Sequence, residues 1–353
     1  LSRPALYFAI PGDPDQRTGG YIYDRRVANE LERIGWELRP IRLDASFPQP
    51  SAAALDDAVG RYAALPDGAL VLADGLALGA MPAIARREKE RLRLVALVHH
   101  PLGYEAGLRP DGARALVASE RDSLAVVRAV IVTSTTTRDT LVQDFAVPAG
   151  AITVAVPGTE PGPLSQGSGG AAVALLAVGS VIPRKGFAEL VRALAPLLGL
   201  PWTLTIAGSL ERSDEAVGAV RAAMEQTGLA PRVRLAGELD AEDLGRLYHQ
   251  ADLFVSSSSY EGFGMALAEA LARGLPIVAV AGGAIADWLD PRASILARPD
   301  DKNGLTEALR VAIADPDRRA GLRAGAVAAR QRLPSWADCA AIVDASLRRV
   351  LEA

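Results

Sequence analysis

The chain is 353 residues long, enough for two domains with separate cores. Half of it is hydrophobic and 23% is charged, with no uncharged apolar run of about 18 residues, so it reads as ordered and globular rather than membrane-spanning. A net charge of −4 with neither half basic argues against nucleic acid as a partner, and the single cysteine, Cys339, excludes an internal disulfide and a cysteine-ligated zinc site. No basic, apolar and small-residue leader pattern opens the chain at Leu1, which together with the cysteine count points to the cytoplasm.

An apolar run at 6–10 ends in Pro11-Gly12-Asp13-Pro14-Asp15 and Thr18-Gly19-Gly20, a strand running into a loop. Ile22, Val27, Leu31 and Ile34 then recur at helical spacing, and Glu37–Leu43 alternates like a strand, which completes a βαβ unit. Further apolar runs at 69–72, 94–98 and Ala129–Val132 are separated by helical patterns or polar loops. Short buried strands between helices predict a parallel, doubly wound sheet. From 157 to 170 the periodicity stops in a segment rich in Pro, Gly and Ser, and a linker is placed at 161–170. The alternation then restarts with apolar runs at Val173–Val178, Trp202–Ala207, 233–236, 253–255, Ile277–Val280 and Ser294–Ala297. Beyond Asn303 the pattern is helical, and Ser335 with Asp338 forms a capping box for a last helix. Domains are therefore expected at 1–160 and 171–335, with a terminal helix over 336–353.

The most informative stretch is 256–276, where a strand opens into a glycine-rich helix start around Glu261, Gly262, Phe263 and Gly264. Unpaired amides and a positive dipole end favour a phosphate there. Glu261 and Glu269 are eight residues apart, which on a helix is a rise of about 12 Å, so both carboxylates would reach one extended ligand and accept hydrogen bonds from its hydroxyls. A second motif, Val178-Gly179-Ser180 through Pro183-Arg184-Lys185-Gly186, also follows a strand. Only three of the 38 basic residues are lysines, Lys89, Lys185 and Lys302, which singles out Lys185.

Together these motifs resemble the signature of the retaining glycosyltransferase family 4. The resemblance implies a GT-B fold, an α/β architecture of two Rossmann-like doubly wound domains facing across a cleft that holds a nucleotide-sugar, with the last helix returning to the first domain. It implies that Glu269 holds the ribose, Glu261 the donor sugar, and Arg184 and Lys185 the diphosphate beside Gly179. Ser180 departs from the family, which often has arginine directly after that first glycine. Gly19 and Gly20 match the family's glycine loop, whose amides face the donor phosphate. The resemblance implies a histidine that faces the donor sugar, and His99 is favoured over its neighbour His100; adjacent residues of a strand point to opposite faces, so at most one of the two serves.

The remaining candidates read as structural. His249 suits a helix surface, Asp13-Pro14-Asp15 suits a turn rather than a metal motif, and Asp287, where the family commonly has glutamate, suits a helix-start cap. The run Arg86 to Arg93 suits a solvated helix face or a weak peripheral contact with anionic lipid at the inner face of the membrane. The expected function is retaining, metal-independent transfer of a sugar from a uridine or guanosine diphosphate sugar to a hydroxyl of a small-molecule, glycan or lipid acceptor, with no cofactor. The alternatives are an epimerase or phosphorylase of the same fold and a non-catalytic nucleotide-sugar-binding protein. A dehydrogenase fits less well because no Gly-x-Gly-x-x-Gly follows the first strand.

Overall fold

The computed structural model describes residues 3–353, which divide into two compact units. The first runs to Gly158 and takes up the chain again over Pro334–Ala353, and the second is Thr159–Leu333.

The first unit holds a six-stranded sheet of Ala5–Pro11 (β1), Glu37–Leu43 (β2), Leu70–Asp74 (β3), Arg93–Val98 (β4), Ala129–Val132 (β5) and Ile152–Val154 (β6). The strand order is β2-β1-β3-β4-β5-β6 and every pairing is parallel. Helices cover both faces, so the central strands are buried on both sides and carry unbroken apolar runs: all five residues of β3 and all four of β5 are buried. β6 escapes a periodicity reading because three residues are too few to show one.

The second unit repeats the plan with Val173–Val178 (β7), Trp202–Ala207 (β8), Val233–Gly237 (β9), Leu253–Ser256 (β10), Ile277–Val280 (β11) and Ser294–Ala297 (β12). Its order is β12-β11-β10-β7-β8-β9, again all parallel. This is a Rossmann order. In both units the direction of winding reverses at one place, between β1 and β3 in the first and between β7 and β10 in the second. Loops leaving the strand ends at such a reversal splay apart and leave room for a ligand.

The segment 161–170, expected to be a linker, is fastened to the second unit. Ser165 is buried and donates to the Ala251 carbonyl at 2.7 Å, its N–H donates to the Arg273 carbonyl at 2.8 Å, and Arg330 Nη2 donates to the Gly162 carbonyl at 2.7 Å. Polar chain without periodicity is thus anchored by hydrogen bonds instead of apolar burial. The helix Trp336–Glu352 carries its capping box as Ser335 with Asp338 and folds with the first unit. There the Cys339 thiol contacts Tyr23 Oη at 3.4 Å, Trp36 Nε1 donates to Asp344 Oδ1 at 2.7 Å, and Arg93 Nη1 donates to the Leu351 carbonyl at 2.9 Å. The two crossings into and out of the second unit lie side by side, since a side-chain carbon added at Gly158 would stand 2.2 Å from Trp336 N. No helix among the described residues is long and apolar enough to cross a membrane.

Candidate functional site

In the second unit the loops after β7 and β10 leave the sheet at the reversal and are stitched together. Ser257 Oγ donates to the Lys185 carbonyl at 2.9 Å, Ser259 N–H donates to the Arg184 carbonyl at 2.9 Å, and Arg184 Nη1 donates to the Tyr260 carbonyl at 2.7 Å. Gly186 is required here: its φ is +61° and a Cβ would fall 2.5 Å from the Ser257 carbonyl oxygen. The result is a cluster that Lys185, Arg184 and Glu261 build together. Lys185 Nζ donates to Glu261 Oε1 at 2.5 Å, and Arg184 Nη1 stands 3.5 Å from Oε2. Side-chain exposure is 16% for Lys185, 17% for Arg184 and 8% for Glu261, so the charges sit in a low dielectric where pairing matters more than at the surface. Burial pushes the Glu261 carboxyl up, but the Lys185 and Arg184 charges, with hydrogen bonds from Lys185 and Ser258, bring it below the usual glutamate range. It is ionised at neutral pH. Gly179 lies against Lys185, where an added Cβ would be 3.0 Å from Cε.

Glu261 is not on a helix with Glu269. The chain pairs Glu261 with Gly283 in an isolated parallel bridge, turns at Gly264 with φ +93°, and only then begins the helix Met265–Ala272. A carboxylate ahead of the helix is placed by the bridge, and the helical rise applies only to Glu269. Gly262 and Gly264 occupy the turn, while the Phe263 ring is buried and stacks on Trp288 with centroids 4.9 Å apart, so that side chain supports the turn from within. Glu269 lies on the helix with Oε2 accepting from Tyr248 Oη at 3.0 Å. Tyr248 is fully buried, and the Arg273 guanidinium lies 4.5 Å from its ring centroid. Sequence reading passed over Tyr248; its signal was a tyrosine beside His249 on the apolar side of a short helix. Asp287 does not cap: it is the third residue of the helix Ile285–Trp288, which has no side-chain cap.

In the first unit Gly19 and Gly20 are not in a loop; they are the first two residues of the helix Gly19–Arg33. Gly20 makes room for a ring, because a Cβ there would come within 3.2 Å of His99 Cδ2. His99 follows the end of β4, and its Nε2 lies 2.9 Å from Asp24 Oδ1. Beside them is Asp74, the last residue of β3, and one ligating atom from each of the three lies within 4.8 Å of the others. Burial pushes the Asp24 carboxyl up to about 7 against the lowering effects of Asp74 and Arg25. Burial also pushes Asp74 well up, with the Asp24 charge adding to it, and pushes the His99 imidazole down. Asp24 and Asp74 were missed in the sequence. The signals were there: an acid closing a wholly apolar strand, and an acid on the same helical face as Tyr21, Val27 and Leu31. His100 Nε2 is 3.9 Å from Glu105 Oε2, and His249 is half-buried on the helix Ala241–Gln250.

Asp13 accepts from Asp15 N–H at 2.9 Å in a turn. The Arg86–Arg93 run is not one solvated face. Glu88 is buried and pairs with Arg87 and Arg91, Arg91 also donates to the Tyr62 carbonyl, Arg86 pairs with Asp122, and Arg93 belongs to β4.

Residues 172–315 match the family model described as glycosyl transferases group 1. A glycogen synthase of Mycobacterium tuberculosis is 33% identical over 182 residues, which is 51% of this chain and 42% of that protein. The chain thus matches less than half the length of that relative. Among solved structures, sucrose-phosphate synthase from Thermosynechococcus elongatus superposes with a TM-score of 0.84 at 23% identity, covering 99% of this chain and all of that one. Anabaena HepE, solved with UDP and glucose, superposes with a TM-score of 0.78 at 17% identity, covering 97% and 99%. These likenesses establish the two-unit fold as GT-B. The stretch that matches the group 1 glycosyl transferase model makes up most of the second unit.

Proposed function

We propose that this chain transfers a sugar from a nucleoside-diphosphate donor to a hydroxyl acceptor, with the anomeric configuration retained and without a metal. The observation that carries the reading is the Lys185–Glu261–Arg184 cluster at the strand reversal of the second unit. As the bond between the anomeric carbon and the diphosphate oxygen breaks, negative charge develops on the diphosphate. Lys185 and Arg184 supply the opposing charge from fixed positions, so little reorganisation is needed when it appears. The Met265 and Ala266 amides, at the start of the helix Met265–Ala272, add donors that the helix itself does not use. The acceptor oxygen forms the new bond on the face the diphosphate leaves, and its proton passes to the departing diphosphate oxygen. Glu261 binds hydroxyls of the sugar, and Glu269 binds the ribose from a position fixed by Tyr248. Two side-chain cations do the work that a divalent ion does in metal-dependent transferases, and Asp13 serves its own turn, which supports the metal-free reading.

The bound UDP of Anabaena HepE makes uridine the first base to test, with guanosine next. A thermal-shift panel of uridine, guanosine and adenosine diphosphates and their sugars, run in chelator, tests the proposal without an acceptor. A ligand at 100 times its Kd stabilises by about 2.7 kcal/mol. A shift selective for one diphosphate in chelator is the expected result, and no shift with any of them, with or without magnesium or manganese, would overturn the reading.

A further inference from the structure

We infer that Asp24 and Asp74 share a single proton beneath His99 and thereby hold its ring in the Nε2–H tautomer, leaving Nδ1 as its acceptor. Asp24 is 0% and Asp74 1% exposed. Each uses one oxygen visibly: Asp24 Oδ1 contacts His99 Nε2 at 2.9 Å, and Asp74 Oδ1 accepts from Leu76 N–H at 2.7 Å at the start of the helix Gly75–Leu78. The two Oδ2 atoms are buried with no hydrogen-bond partner among the described residues. Two buried ionised carboxylates side by side are strongly unfavourable, and one proton between their Oδ2 atoms satisfies both orphans and removes one charge. Burial raises both carboxyls, and the Asp24 charge adds to the effect on Asp74. With the proton held between the two Oδ2 atoms, Asp24 Oδ1 is left to accept from His99 Nε2–H.

The ring is closed in on its other sides. The Tyr23 ring meets it edge-on with centroids 5.1 Å apart, and Gly20 leaves just enough room at Cδ2. The titratable and charged groups that bear on the dyad are His99, Tyr23 and Arg25. His99 keeps 18% of its side chain exposed, and no described residue hydrogen-bonds Nδ1. The ring therefore meets a ligand with a lone pair and selects a donor such as a sugar hydroxyl; that part rests on the transferase reading above, while the tautomer does not. Asp24 and Asp74 are positioning residues, acting through His99.

The chain has three histidines, so 15N labelling of the imidazoles yields three ring systems, with His99 identified by its loss in His99→Gln. At pH 8 the native protein should show His99 protonated at Nε2 and unprotonated at Nδ1. Asp74→Asn should show the same, because its amide both donates to Asp24 and keeps the cap on Leu76. Asp24→Ala should give averaged tautomers and an ordinary titration. An Nδ1–H tautomer, an imidazolium at pH 8, or loss of the tautomer in Asp74→Asn would overturn the proposal. So would a change of the native spectrum on adding chelator, which would place a cation among the three groups. In turnover assays Asp24→Ala should lower kcat/KM about tenfold, the scale of one hydrogen bond, without changing the Kd for nucleoside diphosphate; equal losses in both would refute positioning. Native protein that binds no nucleotide-sugar would refute the function proposed above and leave the tautomer result standing.

Discussion

Replacing Glu261 with glutamine separates the two jobs its carboxylate performs. Gln keeps the volume and an oxygen that accepts from Lys185, so the change removes charge and little else. Lys185 and Arg184 are then left 16% and 17% exposed with no carboxylate between them. Breaking a buried pair by removing one partner costs about 3–5 kcal/mol, and the residual hydration of the cations points to the lower end. For a unit of this size each kcal/mol moves Tm by about 2–4 °C, so the unliganded variant should melt about 6–12 °C below the native protein. A nucleoside diphosphate supplies the missing negative charge. In the native chain it must first compete with Glu261 for Lys185 Nζ, a charged hydrogen bond at 2.5 Å. Freed of that competition, the variant should bind the diphosphate about tenfold more tightly while turning over the nucleotide-sugar more slowly. Thermal melts with and without UDP, and calorimetric titration, read both effects. An unchanged Tm with the same UDP affinity would refute the electrostatic account, and weaker UDP binding would refute the competition.

Three further outcomes are expected. Lys185→Ala should lower kcat by about two to three powers of ten, the usual loss on removing one fixed donor to a developing anion; steady-state activity within tenfold of native would remove Lys185 from that role. Tyr248→Phe takes away the hydroxyl that donates to Glu269 Oε2, about 1 kcal/mol of hydrogen bond, and initial-rate kinetics should show a donor KM raised about fivefold with kcat nearly constant. Glu120 is buried, accepts from Leu102 N–H at 2.8 Å, and is pushed up to about 8 by burial. The native state therefore holds a proton that the unfolded chain has lost between pH 4.5 and 8, and stability declines as pH rises through that window. Glu120→Gln removes the dependence, so its Tm should exceed the native value at pH 8.5 by a margin that shrinks toward pH 5; a margin independent of pH would contradict this origin.

Most of the fold was legible because doubly wound sheets write their strands as short apolar runs: ten of the twelve described strands appear that way in the sequence, and β2 appears as an alternating one. What periodicity cannot show is a residue placed by a contact distant in the chain. Glu261 and Glu269 looked like one helical pair, but the bridge to Gly283 and the turn at Gly264 set Glu261 ahead of the helix. Gly20 looked like a phosphate-loop glycine; its missing side chain also makes way for His99, 79 positions along the chain, and only three-dimensional proximity reveals that. Asp24 and Asp74 carried a readable signal, acids where apolar residues belong, yet a lone buried acid gives no hint of its partner. Lys185 stood out for the opposite reason, a rare residue type in an arginine-rich chain.

The side-by-side crossings at Gly158 and Trp336 have a consequence for how the protein is made. In order of synthesis the second unit is an insertion into the first: all of Thr159–Leu333 is translated before the helix Trp336–Glu352 that closes the first unit. The β1-to-β6 sheet must wait for that helix with Trp36 and Arg93 still lacking their partners, while the second unit already has every strand and helix it needs. The unit nearer the start of the chain should thus be the later one to acquire its full protection, against the usual N-terminal-first order of multidomain chains.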